Sequence, residues 1–213
     1  MTSTDDSSAT VKTTCPYCGV GCGVNASATG TGGDETHPAN RGRLCVKGSA
    51  LHETLTPEGR LLKPAVRGRD TDWPTAINEV AGVIRASVEQ HGPGSVAFYL
   101  SGQLLTEDYY VANKFTKGFL GTGNMDTNSR LCMASSVAGH KRAFGSDTVP
   151  GCYEDLDQAD LIVLTGSNLA WCHPVLYQRI AAAKSARPNM KIVLIDPRRT
   201  MTADIADLPL PIR

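Results

Sequence analysis

Four of the seven cysteines fall within residues 15–45: Cys15, Cys18 and Cys22 in Cys-Pro-Tyr-Cys-Gly-Val-Gly-Cys, and Cys45 in Gly-Arg-Leu-Cys-Val-Lys-Gly. The spacing is C-x2-C-x3-C-x22-C. Three thiolates in so short a stretch repel one another unless a cation or cluster neutralises them. Gly19, Gly21 and Gly23 give the backbone freedom to curl around such an object. Four thiolates suit tetrahedral zinc or a four-iron cluster. Zinc knuckles usually split their ligands into two C-x2-C pairs, whereas a three-plus-one arrangement gives each iron of a cubane one cysteine. The spacing therefore favours iron–sulfur over zinc, and both over a lone redox C-x2-C with two bystanders. Lys47, two residues past Cys45, could set a cation beside the cluster, although surface lysines are common at such distances.

A fifth cysteine, Cys132, lies in Asn-Ser-Arg-Leu-Cys-Met-Ala-Ser-Ser (128–136). A buried thiol, a nucleophile and a metal ligand are all open to it, and these nine residues alone do not choose. Cys152 and Cys172 have no partners at metal spacing and read as small apolar side chains. His140 reads as an ordinary polar helix residue. His173, just before Pro174, is either a capping or packing residue or a cofactor contact.

The elements that must position these residues begin near residue 60. Asp72 is expected to cap a helix over 75–90, whose Ile77, Val80, Ala81, Ile84 and Val88 recur at helical spacing. His-Gly-Pro-Gly then breaks the chain before a short apolar run, Ser-Val-Ala-Phe-Tyr-Leu, read as a buried strand. A second helix is expected over 106–120 and a third from near Cys132 to Phe144. Buried strands follow in Ala-Asp-Leu-Ile-Val-Leu-Thr-Gly-Ser-Asn, ending in Gly166, and at 191–196, with a helix from about Pro174 to Ser185 between them. Strands alternating with helices predict an α/β fold with a parallel sheet and crossover helices.

Ligands of such sheets bind beyond the carboxyl ends of the strands. Residues 101–103, 165–174 and 196–200 are expected there, on one sheet edge. Their small, amide and arginine residues suit phosphates, ribose hydroxyls or a purine edge, which points to a nucleotide-bearing cofactor.

Composition bounds the partners. The 213 residues carry 21 Lys+Arg against 21 Asp+Glu, so no basic excess marks a nucleic-acid binder. Hydrophobic residues make up 41% and charged residues 20%, as in a domain with a core. No apolar run approaches membrane-spanning length, and no membrane partner is expected. The polar, acidic first residues show no basic or apolar region of an export signal, so a cytoplasmic, reducing setting is expected, in which cysteines serve as ligands or reactive thiols.

The chain resembles the molybdopterin oxidoreductases with an N-terminal iron–sulfur cluster, and among them the cytoplasmic assimilatory nitrate reductases. The resemblance rests on CPYCGVGCGV, GRLCVKG, YLSGQLLTEDYY, NSRLCMASSVAGHKRAFG, VPGCYEDLDQADLIVLTGSNLAWCHPVLYQRI and IVLIDPRRT, and so covers nearly all of the chain. It implies a [4Fe–4S] cluster on Cys15, Cys18, Cys22 and Cys45, with Lys47 between cluster and pterin. Molybdenum bis(molybdopterin guanine dinucleotide) would be held by Gln103, Asn128, the stretch from Thr165 through Gly166, Ser167 and Asn168 to Cys172, and the stretch from Asp196 to Arg198 and Arg199. Cys132 would ligate molybdenum, as a soft thiolate suits a metal otherwise held by dithiolenes.

Met133 bears on the substrate. Related formate dehydrogenases typically follow the ligand with a histidine that handles the substrate proton. An uncharged methionine there favours nitrate, reduced to nitrite with electrons that a flavoprotein (an NADH-dependent subunit), ferredoxin or flavodoxin delivers through the cluster. Formate oxidation and a non-catalytic iron–sulfur electron-transfer module are the alternatives. The expected organisation is a disordered tail over 1–12, a cluster domain over 13–58 and a molybdopterin-binding, Rossmann-like α/β domain over 59–213. Because members of the family are several times longer, that last domain is expected to be incomplete, with apolar surface left exposed, and activity is expected only as part of the full-length protein.

Overall fold

A computed structural model describes residues 10–212. The chain opens with strands β1 (Val11–Thr14), β2 (Gly23–Ser27) and β3 (Gly30–Gly33), an antiparallel sheet in that order. Short helix α1 (Val46–Ser49) and a 3-10 turn, Leu51–Leu55, follow. The hairpin β4 (Ala65–Val66) and β5 (Arg69–Asp70) leads to α2 (Trp73–His91). Then come β6 (Phe98–Leu100), α3 (Thr106–Lys114), a π-helical turn over Phe115–Leu120, and β7 (Met125–Thr127). Helices α4 (Ser129–Cys132), α5 (Ala134–Phe144) and α6 (Asp155–Gln158) precede β8 (Leu161–Thr165). The chain closes with α7 (Leu169–Cys172), α8 (Pro174–Ala186), β9 (Lys191–Ile195), a 3-10 turn at Met201–Ile205, and β10 (Leu208–Leu210).

These elements form two compact units. One joins the head, up to Thr56, with Gly151 to the C-terminus; the other is Pro57–Pro150. In the first, β10, β9 and β8 form a parallel sheet, and one face of it packs on α8. Ile162, Ile180, Met190 and Ile192 are its buried centre. A second apolar cluster joins Cys15, Val20, Cys22 and Val24 to Val175 at the start of α8. In the Pro57–Pro150 unit, β6 and β7 pair in parallel, and among its described residues Thr116 alone is buried.

The helical periodicity around Ile77 is realised in α2, with the Asp72 carboxylate accepting from Thr75 N at 2.8 Å. Four expectations change. The tail expected over 1–12 lies outside the described residues up to residue 9, but Val11 and Lys12 pair with Ala26 and Asn25 in the sheet. The 106–120 helix widens to π geometry after Lys114 and stops at Gly121, whose φ of +76° suits glycine. The strands are not buried on both faces: Ile162 is enclosed while Leu161 and Val163 are exposed, because helix packs on one side only. Finally, the three ligand-facing loops do not share one edge, since residues 101–103 follow β6 and the other two follow β8 and β9 of a different sheet.

Candidate cluster and cofactor sites

Cys15, Cys18, Cys22 and Cys45 line one small pocket, closed by Tyr17, Val20, Leu44, Gly48, Pro174 and Val175. Local hydrogen bonds shape the loop: Cys15 N donates to Cys22 O at 2.8 Å and Gly21 N to Cys18 O at 3.3 Å. Gly21 takes φ +65°, and a Cβ on Gly23 would lie 2.4 Å from the His37 side chain. Gly19 has open space around it, so nothing there demands glycine.

Asn40 ties the two parts of the ligand set together. Its carboxamide oxygen accepts from Gly23 N at 2.8 Å, and its nitrogen donates to Gly23 O and to Arg43 O, each at 2.9 Å. It thus joins the residue after Cys22 to one just before Cys45, and it is buried. Burial first, then the charges of Cys15, Cys18 and Cys45, push the Cys22 thiol up to about 11. Binding a cationic core would release the Cys22 proton. Four thiols lining one pocket fit a cubane with one cysteine per iron.

The Cys132 region is built at the carboxyl ends of β6 and β7. Asn128 N donates to Leu100 O at 3.3 Å, and Asn128 O accepts from Leu131 N and Cys132 N, each at 3.0 Å, which starts α4. Gly102 lets the loops meet, because a Cβ there would lie 2.6 Å from Asn128 Oδ1. Tyr109 Oη donates to Ser101 O, and Gln103 N donates to Ser101 Oγ at 3.2 Å. Cys132 and Met133 are exposed, as are Gln103 and Asn128. An exposed soft donor between loops that a Cβ would block is compatible with a metal ligand beside a bulky cofactor.

At the carboxyl ends of β8 and β9, Asn168, Arg198 and Arg199 line a cleft with Trp171, Thr200 and Met201. Gly166, at φ +57°, donates from its N to Ile195 O at 2.8 Å and so links the two strand ends. Asp196 turns its carboxylate back onto Arg198 N at 2.8 Å. Asn168 Oδ1 is buried without a hydrogen-bond partner, an acceptor that a ligand donor would satisfy. An unsatisfied amide oxygen and two arginines fit a phosphate-bearing nucleotide.

Thr165 is held in the ladder opposite Ile195, and Ser167 lies half-buried between it and the cleft. His173 is half-buried between α7 and α8; its N donates to Leu169 O and its O accepts from Tyr177 N. Lys47 lies on α1, exposed, two residues from Cys45. Cys152 and Cys172 are exposed rather than packed as small apolar residues; they sit at turns and helix ends where no core forms. His140 bonds Ser136 O through Nδ1 at 2.8 Å, an ordinary helical contact.

Over residues 60–212 the sequence matches the family model described as molybdopterin oxidoreductase. The chain belongs to the molybdopterin oxidoreductase family. Residues 8–56 match the Fe4S4 domain of that family. Together the matches support a molybdenum–pterin cofactor and a [4Fe–4S] cluster. A nitrate reductase of Klebsiella oxytoca is 61% identical over 201 residues, which are 92% of this chain and 23% of the relative. A periplasmic nitrate reductase of Desulfovibrio desulfuricans is 45% identical over 214 residues, 95% of this chain and 28% of the relative. Acetylene hydratase from Pelobacter acetylenicus shares the fold, with a TM-score of 0.75 at 23% identity over 95% of this chain and 29% of that one. The chain spans about a quarter of the length of the curated relatives it matches.

Several residues here, within the block from Val149 to Ile180, were assigned no role by sequence reasoning. Arg179, buried in α8, donates from Nε and Nη2 to the two Asp157 carboxylate oxygens at 2.9 and 2.6 Å and from Nη1 to Pro38 O at 3.0 Å. Its hydrogen bonds hold the Asp157 carboxyl below the usual range. Arg41 also reaches Glu154 and Asp157. An arginine among the small and apolar residues of α8, and the acidic run before β8, were the available signals. Tyr153, half-buried, donates to Val20 O at 2.8 Å and so touches the cysteine loop.

Proposed function

We propose that this chain is the cluster- and pterin-binding front part of a molybdenum nitrate reductase that reduces nitrate to nitrite. The observation that carries the reading is the Asn128–Met133 turn: an exposed thiol at paired strand ends, followed by methionine rather than an imidazole, in a chain 61% identical to a nitrate reductase. When bound, the molybdenum–pterin centre supplies two-electron oxygen-atom transfer and the [4Fe–4S] cluster supplies single electrons.

The residues have distinct tasks. Cys15, Cys18, Cys22 and Cys45 hold the iron, and Cys132 gives molybdenum a thiolate. Met133 is polarizable and uncharged, so it neither competes with an anion for the metal nor holds a proton as formate chemistry requires. Lys47 sets a positive charge beside Cys45. Arg198 and Arg199 match phosphate charge, and Asn168 offers its free carbonyl oxygen to a ribose hydroxyl or guanine N–H. Gln103, Asn128, Thr165, Gly166, Ser167, His173 and Asp196 complete the contacts assigned to the guanine dinucleotide form of the cofactor.

The division into a cluster domain over 13–58 and a pterin domain over 59–213 belongs to the same reading. So do the assimilatory role, the cytoplasmic setting, and a flavoprotein, ferredoxin or flavodoxin as donor. These rest on the resemblance of the blocks around Cys132 and Trp171. No described helix is long and apolar enough to cross a membrane. The test is to assay the full-length protein, of which this chain is the front part, purified without oxygen, for viologen-linked nitrate reduction and, in parallel, for formate oxidation. Nitrate turnover is expected, and formate oxidation alone would overturn the assignment.

A further inference from the structure

The cysteine loop is not supported only from within the head. Tyr153, more than 130 residues away in sequence, donates its phenolic hydrogen to Val20 O at 2.8 Å, with Gly19 O at 3.4 Å. Both carbonyls lie between Cys18 and Cys22, on the loop that carries three of the four thiols. Burial first, then the charges of Cys22 and Cys18, push the Tyr153 hydroxyl up, so the phenol stays protonated and remains a donor.

Tyr153 is itself held firmly. It lies two residues before α6, whose Asp157 is gripped by buried Arg179, while Glu154 between them is bound by Arg41 and Arg179. Cys152 N on its other side donates to Asp155 Oδ2 at 2.8 Å. The donor therefore comes from a braced segment rather than a mobile one.

We infer that Tyr153 is a positioning residue for the iron–sulfur site: its O–H bond to Val20 O holds the Cys18–Cys22 loop and neutralises the carbonyl dipoles next to the thiolates. This rests on the reading that the four cysteines hold a [4Fe–4S] cluster. Cluster potentials respond to nearby charge and dipoles. Without the hydroxyl, the Val20 and Gly19 oxygens present uncompensated negative ends, and adding an electron to the cluster becomes less favourable.

The experiment is Tyr153→Phe, which keeps the ring, made in the anaerobically purified protein and followed by iron analysis, EPR-monitored redox titration and thermal melting. With four irons retained, the reduced-to-oxidised ratio at a fixed ambient potential should fall about threefold, roughly 30 mV toward negative values for a one-electron couple. An unchanged or more positive midpoint overturns the inference. Loss of iron with an unaltered melting curve supports it in a stronger form. Loss of iron with a lowered melting curve marks a purely structural residue and overturns it. A parent protein that binds four irons without a [4Fe–4S] signal, or binds zinc, would sink the cluster reading itself, a result distinct from any of these.

Discussion

The two compact units place their candidate ligands in the same way and support them differently. In each, the residues of interest lie beyond the carboxyl ends of paired parallel strands: Asn168 and Arg198 after β8 and β9, Asn128 and Cys132 after β6 and β7. The unit containing the cysteine head backs its site with enclosed side chains. Ile180 and Ile192 are at 2% and 0% exposure, and Asn40 and Arg179 are buried polar clamps. The Pro57–Pro150 unit positions Cys132 with hydrogen bonds among exposed groups, and its long helix α2 leaves Ile77 and Val80 at 59% and 58% exposure. The same apolar periodicity that makes a helix does not by itself make a core. Trp73 and Phe119 are exposed as well.

The largest test of this contrast separates the two sites. Cys22→Ser should remove nearly all iron, since the remaining three thiols cannot complete the set. Made in the full-length protein, Cys132→Ser should retain about four irons per chain and abolish nitrate turnover. Iron analysis with the viologen assay reads both, and loss of iron in the Cys132 variant would show that the two regions are not independent.

Truncation sharpens the comparison in energetic terms. Ile192→Ala, in the enclosed core, should cost about 2–5 kcal/mol. Val80→Ala, on the open face of α2, should fall within about 0.5 kcal/mol. Urea midpoints at constant slope measure both. Equal losses would mean that α2 is covered in solution.

The smallest effect concerns pH. Hydrogen bonds from Thr36 and then Lys12 hold the buried Asp34 carboxyl at about 2, below its ordinary 3.8. Its folded value lies below its unfolded one, so its stabilisation is complete above about pH 4 and fades as pH falls toward 2. Asp34→Asn should flatten that part of the acid-unfolding profile. Comparison with the parent at each pH makes acid loss of iron common to both. An unchanged profile would show that Asp34 does not brace the head.

Much of this architecture was legible from local signals. The three-plus-one cysteine spacing marked four thiols that line one pocket, Asp72 marked the start of α2, and the apolar runs marked β8 and β9. Each depends on residues close in sequence, where spacing and capping chemistry act directly. Tyr153 and Arg179 were not legible, because their partners Val20 and Pro38 lie more than 130 residues away and neither residue belongs to a metal or nucleotide motif. The single sheet edge expected for three loops failed for the same reason. Strand runs announce themselves, but pairing is chosen by long-range contact, and β6 took β7 as its neighbour.

The sequence by itself determined the donors: four thiols with cluster spacing, a fifth thiol followed by methionine, and glycine- and arginine-bearing turns after apolar strands. Those are properties of residue type and short separation. Only the tertiary structure decided that Asn40 spans the ligand set, that Asn168 keeps a buried oxygen free, and that a tyrosine from the far side of the chain caps the cysteine loop. Burial and hydrogen-bond completion depend on which distant segments meet, and no local pattern encodes that meeting.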